Sequence, residues 1–498
     1  MSQKLLRQMP EVFLSNTATA ATVSRAMAAG QLRKLAPKLY TRNLTDTPEA
    51  IVRRNLWQIV AAYMPGALIA DRTALENTPA ADGSVFLISD RHRNIKLPGI
   101  ILRPRPGRPP LKTDKPFVGD LYLSSTARAF LENMQPSRTR SGYVARTLPQ
   151  ADLEDRLDKF IRQGGREAIN RLRDEIKSIA PKLGLQAEAK KLDTIIGSLQ
   201  GTKTTKLTAP TARARRSGSP YDPARTVLFE VLHRALRNYP PVIRPAKAGN
   251  TKGETTLAFF EAYFSNYIEG TEFEVAEAAD IVFKGIIPSA RPADAHDILG
   301  TYRIVLDKAA YSQRPKKLEE FLSLLRQRHA EMMGGRPEMT PGIFKTKANQ
   351  AGNTVFVEPD LVNGTLAQGY DLYRSLETSF ARAVFMMFLV SEVHPFQDGN
   401  GRIARVMMNS ELVSENEQRI IIPTVYRGNY LSALKALTQT GAPDPLIRTL
   451  DFAQKWTGSI AWGDLQNTQK QLEQSNAFIE ASVAEERGIK LKINRESE

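Results

Sequence analysis

The stretch His-Pro-Phe-Gln-Asp-Gly-Asn-Gly-Arg-Ile-Ala-Arg at residues 394–405 constrains this chain more than any other part of it. It combines a titratable base (His394), a hard-cation ligand (Asp398), a Gly-Asn-Gly turn and two guanidinium groups, Arg402 and Arg405. Glycines placed directly before a helix free backbone N–H groups, which form an anion-binding nest at the positive end of that helix. An aspartate beside such a nest is where a phosphate-bound Mg²⁺ would be held. The stretch therefore predicts a nucleotide phosphate site with its own proton acceptor.

This stretch matches, position for position, the Fic motif His-Pro-Phe-x-Asp/Glu-Gly-Asn-Gly-Arg-x-x-Arg, with Gln397 at a free position. The resemblance covers roughly residues 226–460. It implies a protein adenylyltransferase, which transfers AMP from ATP to a Tyr, Thr or Ser hydroxyl of a protein target and of its own chain. ATP is then the co-substrate and Mg²⁺ the cofactor.

The resemblance also assigns a role to each residue of the motif. His394 takes the proton from the target hydroxyl as that hydroxyl attacks the α-phosphorus. Asp398 is the Mg²⁺ ligand. The phosphate contacts are assigned to Gly399, Asn400, Gly401, Arg402 and Arg405. Phosphoryl-transferring relatives usually carry Lys in place of the second glycine, so Gly401 favours nucleotidyl transfer, whereas UTP and GTP stay open as donors.

A second family feature precedes the loop in the chain. The sequence Ser-Asn-Tyr-Ile-Glu-Gly matches the Fic inhibitory motif Ser/Thr-x-x-x-Glu-Gly/Asn through Ser265, Glu269 and Gly270. A helical Glu269 delivered to Arg405 would form a charge-assisted pair and withdraw the guanidinium from the γ-phosphate. We therefore expect an enzyme inhibited by its own N-terminal glutamate.

A third feature is Gly342–Val357, in which turn residues lie between β-leaning ends. It resembles the flap hairpin that holds a target peptide by strand pairing beside a Fic active site. Main-chain pairing is only weakly selective, so the protein target cannot be deduced from this segment.

The excess of positive charge lies in the first half of the chain. Residues 1–225 contain 38 Lys and Arg against 20 Asp and Glu, a net charge of +18, and residues 226–498 contain 31 against 33, a net charge of −2. This asymmetry favours a DNA partner for the N-terminal half. The absence of cysteine excludes disulfides and thiolate metal sites. With no apolar run long enough to cross a bilayer, we expect a cytoplasmic protein without membrane contact.

Residues 11–42 resemble the N-terminal winged helix of AbiEi-type antitoxin regulators, with Gly-x-Leu-x-x-Leu and a Tyr at Gly30–Tyr40. The pattern predicts a small helix at 17–21, a recognition helix at 22–29 and a short two-stranded wing around Pro37. Candidate DNA-binding residues are Ser24 and Arg25 on the recognition helix, and Arg33, Lys34 and Lys38 on the wing.

The predicted fold class is mainly α. We expect an all-helical Fic domain with a short β-hairpin flap, preceded by a winged helix and a small α/β region. The predicted boundaries are 1–75 for the winged helix, 76–200 for the α/β and helical region, 201–225 for a linker, 226–470 for the Fic domain, and 471–498 for a charged C-terminal helix or tail.

Two alternative functions stay open at this point. One is a DNA-binding transcriptional regulator whose Fic half only senses nucleotide, although a sensor has no need of the base His394. The other is removal of AMP from proteins, with the inhibitory glutamate aligning a water molecule. The sequence allows for a homodimer but does not determine the oligomeric state.

Overall fold

The computed structural model describes residues 9–138, 142–247 and 250–493. The chain divides into two compact units, Met1–Gly218 and Ser219–Glu498. The predicted mainly α fold class is confirmed, since strands are short and concentrated in the first unit. Within the described ranges, no helix combines the length and the apolar character that are needed to cross a membrane.

The described residues of the first unit form two β-sheets. Helices lie between and after the strands in the chain. Its strands are β1 (Val12–Leu14), β2 (Arg33–Ala36), β3 (Leu39–Thr41), β4 (Leu68–Ile69), β5 (Ser84–Ile88), β6 (Ile95–Leu97), β7 (Ile100–Arg105), β8 (Lys115–Pro116) and β9 (Tyr122–Leu123). Its helices are α1 (Ala20–Ala28), α2 (Pro48–Arg54), α3 (Leu56–Tyr63), α4 (Asp71–Glu76), α5 (Thr126–Asn133), α6 (Gln150–Leu183), α7 (Gln186–Leu199) and α8 (Pro210–Arg216).

The segment predicted as a winged helix differs from the prediction in its helices. A single helix, α1, replaces the two short helices expected at 17–21 and 22–29. The chain enters it through a turn in which Asn16 Oδ1 accepts from Thr19 N at 3.0 Å. Because the Ala- and Thr-rich residues that follow contain no helix breaker, the helix continues through the position where a break was expected. A two-stranded hairpin is present around Pro37, and β1 pairs with β3 as a third strand.

The larger sheet of the first unit has the strand order β6-β7-β5-β4-β9-β8. It is mixed, with parallel pairing in β5–β7 and β4–β9 and antiparallel pairing elsewhere. All five residues of β5 are buried, as expected for a central strand covered on both faces.

The helical part of the first unit continues into residues 201–225, whose composition had suggested a linker. Helix α6 changes direction at Gly165, whose φ of 67° only glycine adopts readily. Residues 201–225, which the sequence assigns to a linker, include helix α8, and its Thr211 and Ala212 are buried. The N–H groups of Thr208 and Ala209 each donate to Glu154 Oε2 at 2.7 Å, so this segment packs on α6.

In the second unit, the residues that the structure describes form helices and a single β-hairpin. Its helices are α9 (Pro223–Asn238), α10 (Thr251–Ile268), α11 (Val275–Lys284), α12 (Pro292–Leu306), α13 (Lys308–Tyr311), α14 (Leu318–Met332), α15 (Val362–Tyr373), α16 (Ser379–Val393), α17 (Asn400–Ser414), α18 (Arg427–Thr440), α19 (Asp444–Ser459), α20 (Leu465–Gln474) and α21 (Ala481–Arg487). The hairpin pairs β10 (Gln350–Ala351) with β11 (Thr354–Val355), which confirms the predicted β-hairpin.

Two buried helices, α16 and α17, form the centre of the second unit. Helix α16 begins where Thr378 Oγ1 accepts from Ala381 N, and all of its residues except Ser391 are buried, as expected of a helix surrounded by protein. Its Phe385 is fully buried and contacts Phe229 edge-on, with 6.2 Å between ring centroids. Residues 394–399 form the loop that joins the two helices. A buried helix therefore fixes each end of the candidate site.

We expect Phe385→Ala to lower the free energy of unfolding of the second unit by about 3–5 kcal/mol, because it leaves a cavity between α16 and α9. Chemical denaturation followed by circular dichroism measures this change. The control is Val227→Ala, since Val227 is 56% exposed. Its effect should stay within about 0.5 kcal/mol. Equal effects of the two substitutions would contradict this assignment of the core.

Candidate active site

His394 stands at the end of the buried helix α16. Its backbone adopts a left-handed conformation, with φ 53° and ψ 59°, which turns the chain sharply out of the helix. The Nδ1 atom lies 3.1 Å from the carbonyl oxygen of Ser391. A carbonyl oxygen can only accept, so Nδ1 carries the proton and Nε2 has the free lone pair. This is the tautomer that a general base requires.

The surroundings of His394 keep its ring neutral. Burial, the largest cause, and the positive charge of Lys345 together lower its pKa to about 4, against the opposing effects of the Ser391 carbonyl, Glu269 and Asp398. The ring stacks on Phe356, which directly follows β11, with centroids 3.7 Å apart and 6° between the planes. His394 is therefore an unprotonated base at neutral pH.

The loop after His394 is fixed by the side chain of Asn400. Its Oδ1 accepts from Phe396 N and its Nδ2 donates to Phe396 O, both at 2.9 Å. The ring of Phe396 is completely buried. Gly399 adopts φ 72° and passes the chain into α17. The Asn400 side chain is thus occupied by the loop itself, so only its backbone is left for the phosphate contact predicted from the sequence.

Arg402 has a different environment from the one expected. Its guanidinium is buried, and Nη1 lies 2.5 Å from Asp297 Oδ2 and 3.3 Å from Asn266 Oδ1. Arg336 binds the same oxygen of Asp297 through Nε at 2.9 Å. In this structure the guanidinium of Arg402 is therefore held by Asp297 of α12. No motif marks Asp297 or Arg336 in the sequence, because their pairing depends on how α12 packs.

Arg405 binds the residues of the predicted inhibitory motif. Its Nε donates to Ser265 Oγ at 3.0 Å, and its Nη2 donates to Ser265 O at 2.7 Å and to Glu269 Oε1 at 2.8 Å. Burial lowers the pKa of Arg405, but the Glu269 carboxylate and a hydrogen bond with Tyr430 raise it more. The pKa lies above the ordinary value, and the guanidinium stays charged.

Glu269 also lies against the first turn of α17. A Cβ atom at Gly401 would lie 2.1 Å from Glu269 Oε1, so only glycine lets the carboxylate come this close. Glu269 directly follows α10 as its C-cap residue, and Gly270 with φ 91° turns the chain away from the helix. Arg427 Nε donates to Ile268 O at 2.9 Å and so closes the end of this helix. The carboxylate occupies the positive end of α17.

Asp398 has an oxygen available for a cation. Its Oδ1 accepts from Gly399 N at 2.7 Å, while Oδ2 lies 3.8 Å from Arg402 Nη2. The side chain is 45% exposed. The part of the chain that the structure describes contains no group of three or more His, Cys, Asp or Glu residues that could hold a metal ion. One exposed carboxylate suits Mg²⁺, which keeps several waters and binds nucleotide phosphates directly.

The hairpin beside the loop is attached to it by hydrogen bonds from residues that precede its first strand. Lys345 N donates to Pro395 O and Asn349 Nδ2 donates to Phe396 O, each at 2.9 Å. Lys345 is buried, which lowers its pKa to about 8. We call residues 342–349 the flap root, and the hairpin of β10 and β11 the flap.

His329 is a site residue that sequence reasoning missed. It lies on α14 and is fully buried. Its Nε2 is 2.9 Å from Asp398 O, and Gly342 N donates to its Nδ1 at 2.9 Å. Its ring stacks on Phe396 with 3.6 Å between centroids. A lone histidine has no sequence signal, since its partners are far away in the chain.

The candidate DNA-binding residues all belong to the first unit. Ser24 and Arg25 are exposed on α1, and Lys34 and Lys38 are exposed on the β2–β3 hairpin. Arg33 is only partly exposed, because its guanidinium donates to the carbonyl oxygens of Leu44 and Asp46. Arg33 therefore holds the loop after the hairpin, and is a weaker candidate for a phosphate contact than the two lysines.

Residues 319–412 match the model of the Fic/DOC family. The matched residues include the loop 394–405, whereas Ser265 and Glu269 precede them.

Among curated proteins, the chain is similar to proteins named Protein adenylyltransferase Fic. It is 26% identical to the one from Drosophila grimshawi over 228 residues, which are 44% of this chain and 46% of the relative. It is 27% identical to the one from Drosophila persimilis over 215 residues, 41% of each chain. The match thus spans less than half the length of these relatives.

Among solved structures, the chain is similar to a Fic domain containing signaling protein from Bacteroides thetaiotaomicron. The identity is 19% and the TM-score 0.35, over 47% of this chain and 96% of that chain. Fic-1 from C. elegans is 16% identical with a TM-score of 0.35, over 69% of this chain and 96% of that chain.

The lowered pKa of His394 predicts an acid dependence of stability. The folded-state pKa of about 4 lies below the ordinary 6.5, so the unfolded chain takes up this proton at higher pH. The contribution is fully present above about pH 6.5 and is lost as the pH falls to about 4. In His394→Asn, the free energy of unfolding should therefore depend less steeply on pH in this window, by about one proton. An unchanged slope in a urea titration series would contradict the assignment of a neutral buried base.

Proposed function

We propose that the chain is a protein adenylyltransferase that transfers AMP from ATP to a hydroxyl group of a protein, and that Glu269 holds it inactive. One observation carries the proposal. A neutral histidine, fixed with its Nε2 lone pair free, leads directly into a glycine turn and a helix N-terminus whose next turn bears Arg405. The Fic/DOC family match and the adenylyltransferase relatives support the same conclusion.

The reaction follows from the roles of these groups. Nε2 of His394 accepts the proton of the target hydroxyl as its oxygen forms a bond to the α-phosphorus. The bond between that phosphorus and the oxygen bridging to the β-phosphate breaks, and pyrophosphate leaves. The first-turn N–H groups of α17, including that of Gly401, have no intrahelical acceptor and stabilise the charge that develops on the α-phosphate oxygens.

Asp398 is the residue that would hold Mg²⁺. When bound, the metal ion neutralises charge on the phosphates and favours departure of pyrophosphate. The chain itself contributes the orientation of the carboxylate, through the hydrogen bond from Gly399 N. The burial of Phe396 and its two hydrogen bonds with Asn400 keep the loop from moving away.

Inhibition follows because the carboxylate of Glu269 makes two contacts at once. Its carboxylate binds Arg405, the group that would hold the γ-phosphate, and it lies against Gly401 at the positive end of α17. A triphosphate carries negative charge to the same place, so it competes with the carboxylate for both partners. ATP then binds, if at all, in a pose unsuited to attack.

The flap supports a protein as the acceptor. Gln350, Ala351 and Val355 on its strands are exposed, so the hairpin offers strand edges for an extended peptide. Strand pairing recognises the main chain and accepts Tyr, Thr or Ser with little other selectivity. Segments of this chain with exposed hydroxyls are acceptors by the same chemistry.

The test uses ATP labelled at the α-phosphate. We expect Glu269→Gly to raise incorporation of label into protein by about tenfold or more over wild type, because it frees Arg405 and the helix end. Glu269→Gly/His394→Ala should lose this activity, because it has no base. Labelling is measured on gels and located by mass spectrometry.

The matched control is Glu272→Gly, which removes an exposed glutamate three residues further along the chain. It should leave labelling at the wild-type level. Equal labelling in wild type and Glu269→Gly would refute the inhibitory role. No label in any variant that binds ATP would refute AMP transfer and favour a nucleotide sensor. Release of AMP from a labelled protein would instead favour de-AMPylation.

For the first unit we propose DNA binding, because the net charge of +18 in residues 1–225 is that of a domain that binds a polyanion. Exposed Lys34 and Lys38 on the β2–β3 hairpin are the candidates for phosphate contacts. A regulator that binds DNA through this unit and modifies proteins through the other combines both halves of the chain.

Lys34→Glu/Lys38→Glu should weaken binding to duplex DNA uniformly across sequences. The slope of log K against log salt should become shallower by roughly 0.9 for each DNA phosphate that the variant no longer neutralises. Fluorescence anisotropy at several salt concentrations measures both quantities. The control Lys190→Glu/Lys191→Glu changes the net charge equally on exposed positions of α7. Equal weakening in both variants would indicate a general charge effect and refute the hairpin as the DNA-binding element.

A further inference from the structure

His329 joins three parts of the second unit that come from distant stretches of the chain. It belongs to α14 and lies 2.9 Å from the carbonyl oxygen of Asp398 in the Fic loop. The N–H of Gly342, at the start of the flap root, donates to its other ring nitrogen at 2.9 Å. Its ring lies parallel to that of Phe396, with 3° between the planes. The ring therefore has no freedom to rotate.

The two partners determine which ring nitrogen carries the proton. A carbonyl oxygen only accepts, so Nε2 of His329 must donate to Asp398. A backbone N–H only donates, so Nδ1 must accept from Gly342. Each nitrogen has one partner and one role, and exchanging the roles would break both hydrogen bonds.

The bond to Asp398 controls the direction of a peptide plane. The carbonyl of Asp398 and the N–H of Gly399 belong to one planar peptide and point in opposite directions. While His329 holds the carbonyl, the N–H stays on the other side, where it donates to Asp398 Oδ1 at 2.7 Å. His329 thus orients the carboxylate without touching it.

The hydrogen bond from Gly342 to His329 fixes the start of the flap root. Further along the flap root, Lys345 N and Asn349 Nδ2 attach to the Fic loop. The Gly342 bond is the attachment nearest to α14, and Gly342 itself adopts φ 76°, so the chain turns here. Loss of this bond would release the start of the flap root while the later attachments remain.

We propose that His329 is a positioning residue with two separable tasks. Through Nε2–H it sets the orientation of the Asp398 carboxylate toward a divalent cation, and through Nδ1 it fixes the start of the flap root. The proposal rests on the proposed function, because that function makes Asp398 the Mg²⁺ ligand. Partners that orient metal ligands from behind typically change metal affinity by about 10–100-fold when removed.

Two substitutions separate the tasks, because each preserves one ring nitrogen. His329→Gln places an amide N–H near the position of Nε2, and His329→Asn places an amide oxygen near the position of Nδ1. Both are made in the Glu269→Gly/His394→Ala protein, which cannot turn over. Calorimetry then gives the affinity for ATP without Mg²⁺ and the Mg²⁺ concentration that half-maximally strengthens ATP binding.

We expect this Mg²⁺ concentration to rise about tenfold in His329→Asn and to stay within about threefold in His329→Gln. ATP affinity without Mg²⁺ should be the same in both. Amide hydrogen exchange in the flap root should show the opposite pattern between the two variants. Exchange in residues 342–349 should increase in His329→Gln and stay as in the parent in His329→Asn.

A purely structural role would lower the thermal midpoint of both variants and change both readouts together, and this result would overturn the proposal. So would an unchanged Mg²⁺ dependence in His329→Asn. If neither variant folds, ¹⁵N-histidine NMR of the parent protein decides. The Nε2 signal of His329 should shift when Mg²⁺ is added to the ATP complex, while that of His233, which forms a hydrogen bond with Ser375, should not.

An unshifted Nε2 signal of His329, with Mg²⁺ bound, would also overturn the proposal that His329 is a positioning residue. Failure of the proposed function looks different. If Glu269→Gly transfers no label from ATP although it binds Mg²⁺ and ATP, AMP transfer is refuted. The contrast between His329→Gln and His329→Asn is measured by Mg²⁺ and ATP binding and by amide hydrogen exchange. Its result therefore does not depend on whether AMP is transferred.

Discussion

The arrangement of the site depends on one buried arginine. Arg405 is enclosed by protein, and an enclosed guanidinium must have partners for its charge and its N–H groups. Ser265 and Glu269 supply them, so the end of α10 is tied to α17. A nucleotide that offers its own negative charge to Arg405 has to displace Glu269. Under the proposed function, the contact between Glu269 and Arg405 is therefore the one that ATP has to displace.

A second constraint is the rigidity of the loop between α16 and α17. Phe396 is buried, its N–H and carbonyl are bound by Asn400, and its ring stacks on His329. Asn349 of the flap root binds the same carbonyl. Loop, flap and α14 thus share one small set of contacts, and a general base needs such preorganisation to act on a hydroxyl placed beside it.

Much of the second unit could be predicted from the sequence. The apolar run before His394 predicts a buried helix, and a helix after Gly401 follows from the glycine turn. Both are present, the second beginning at Asn400. The β-hairpin between Gly342 and Val357 is present as well. These features are local, because helix periodicity, turn residues and caps act within a few positions of the chain.

The sequence by itself determined which residues make up the candidate site: a histidine, a carboxylate, a glycine turn and two arginines within one short stretch. Only the tertiary structure decided which partners these groups have. It directs Arg402 to Asp297, occupies the Asn400 side chain with Phe396, and brings His329 to Asp398. The reason is physical. Hydrogen bonds and ion pairs between residues distant in the chain depend on helix packing, and packing is set by the whole core rather than by any local pattern.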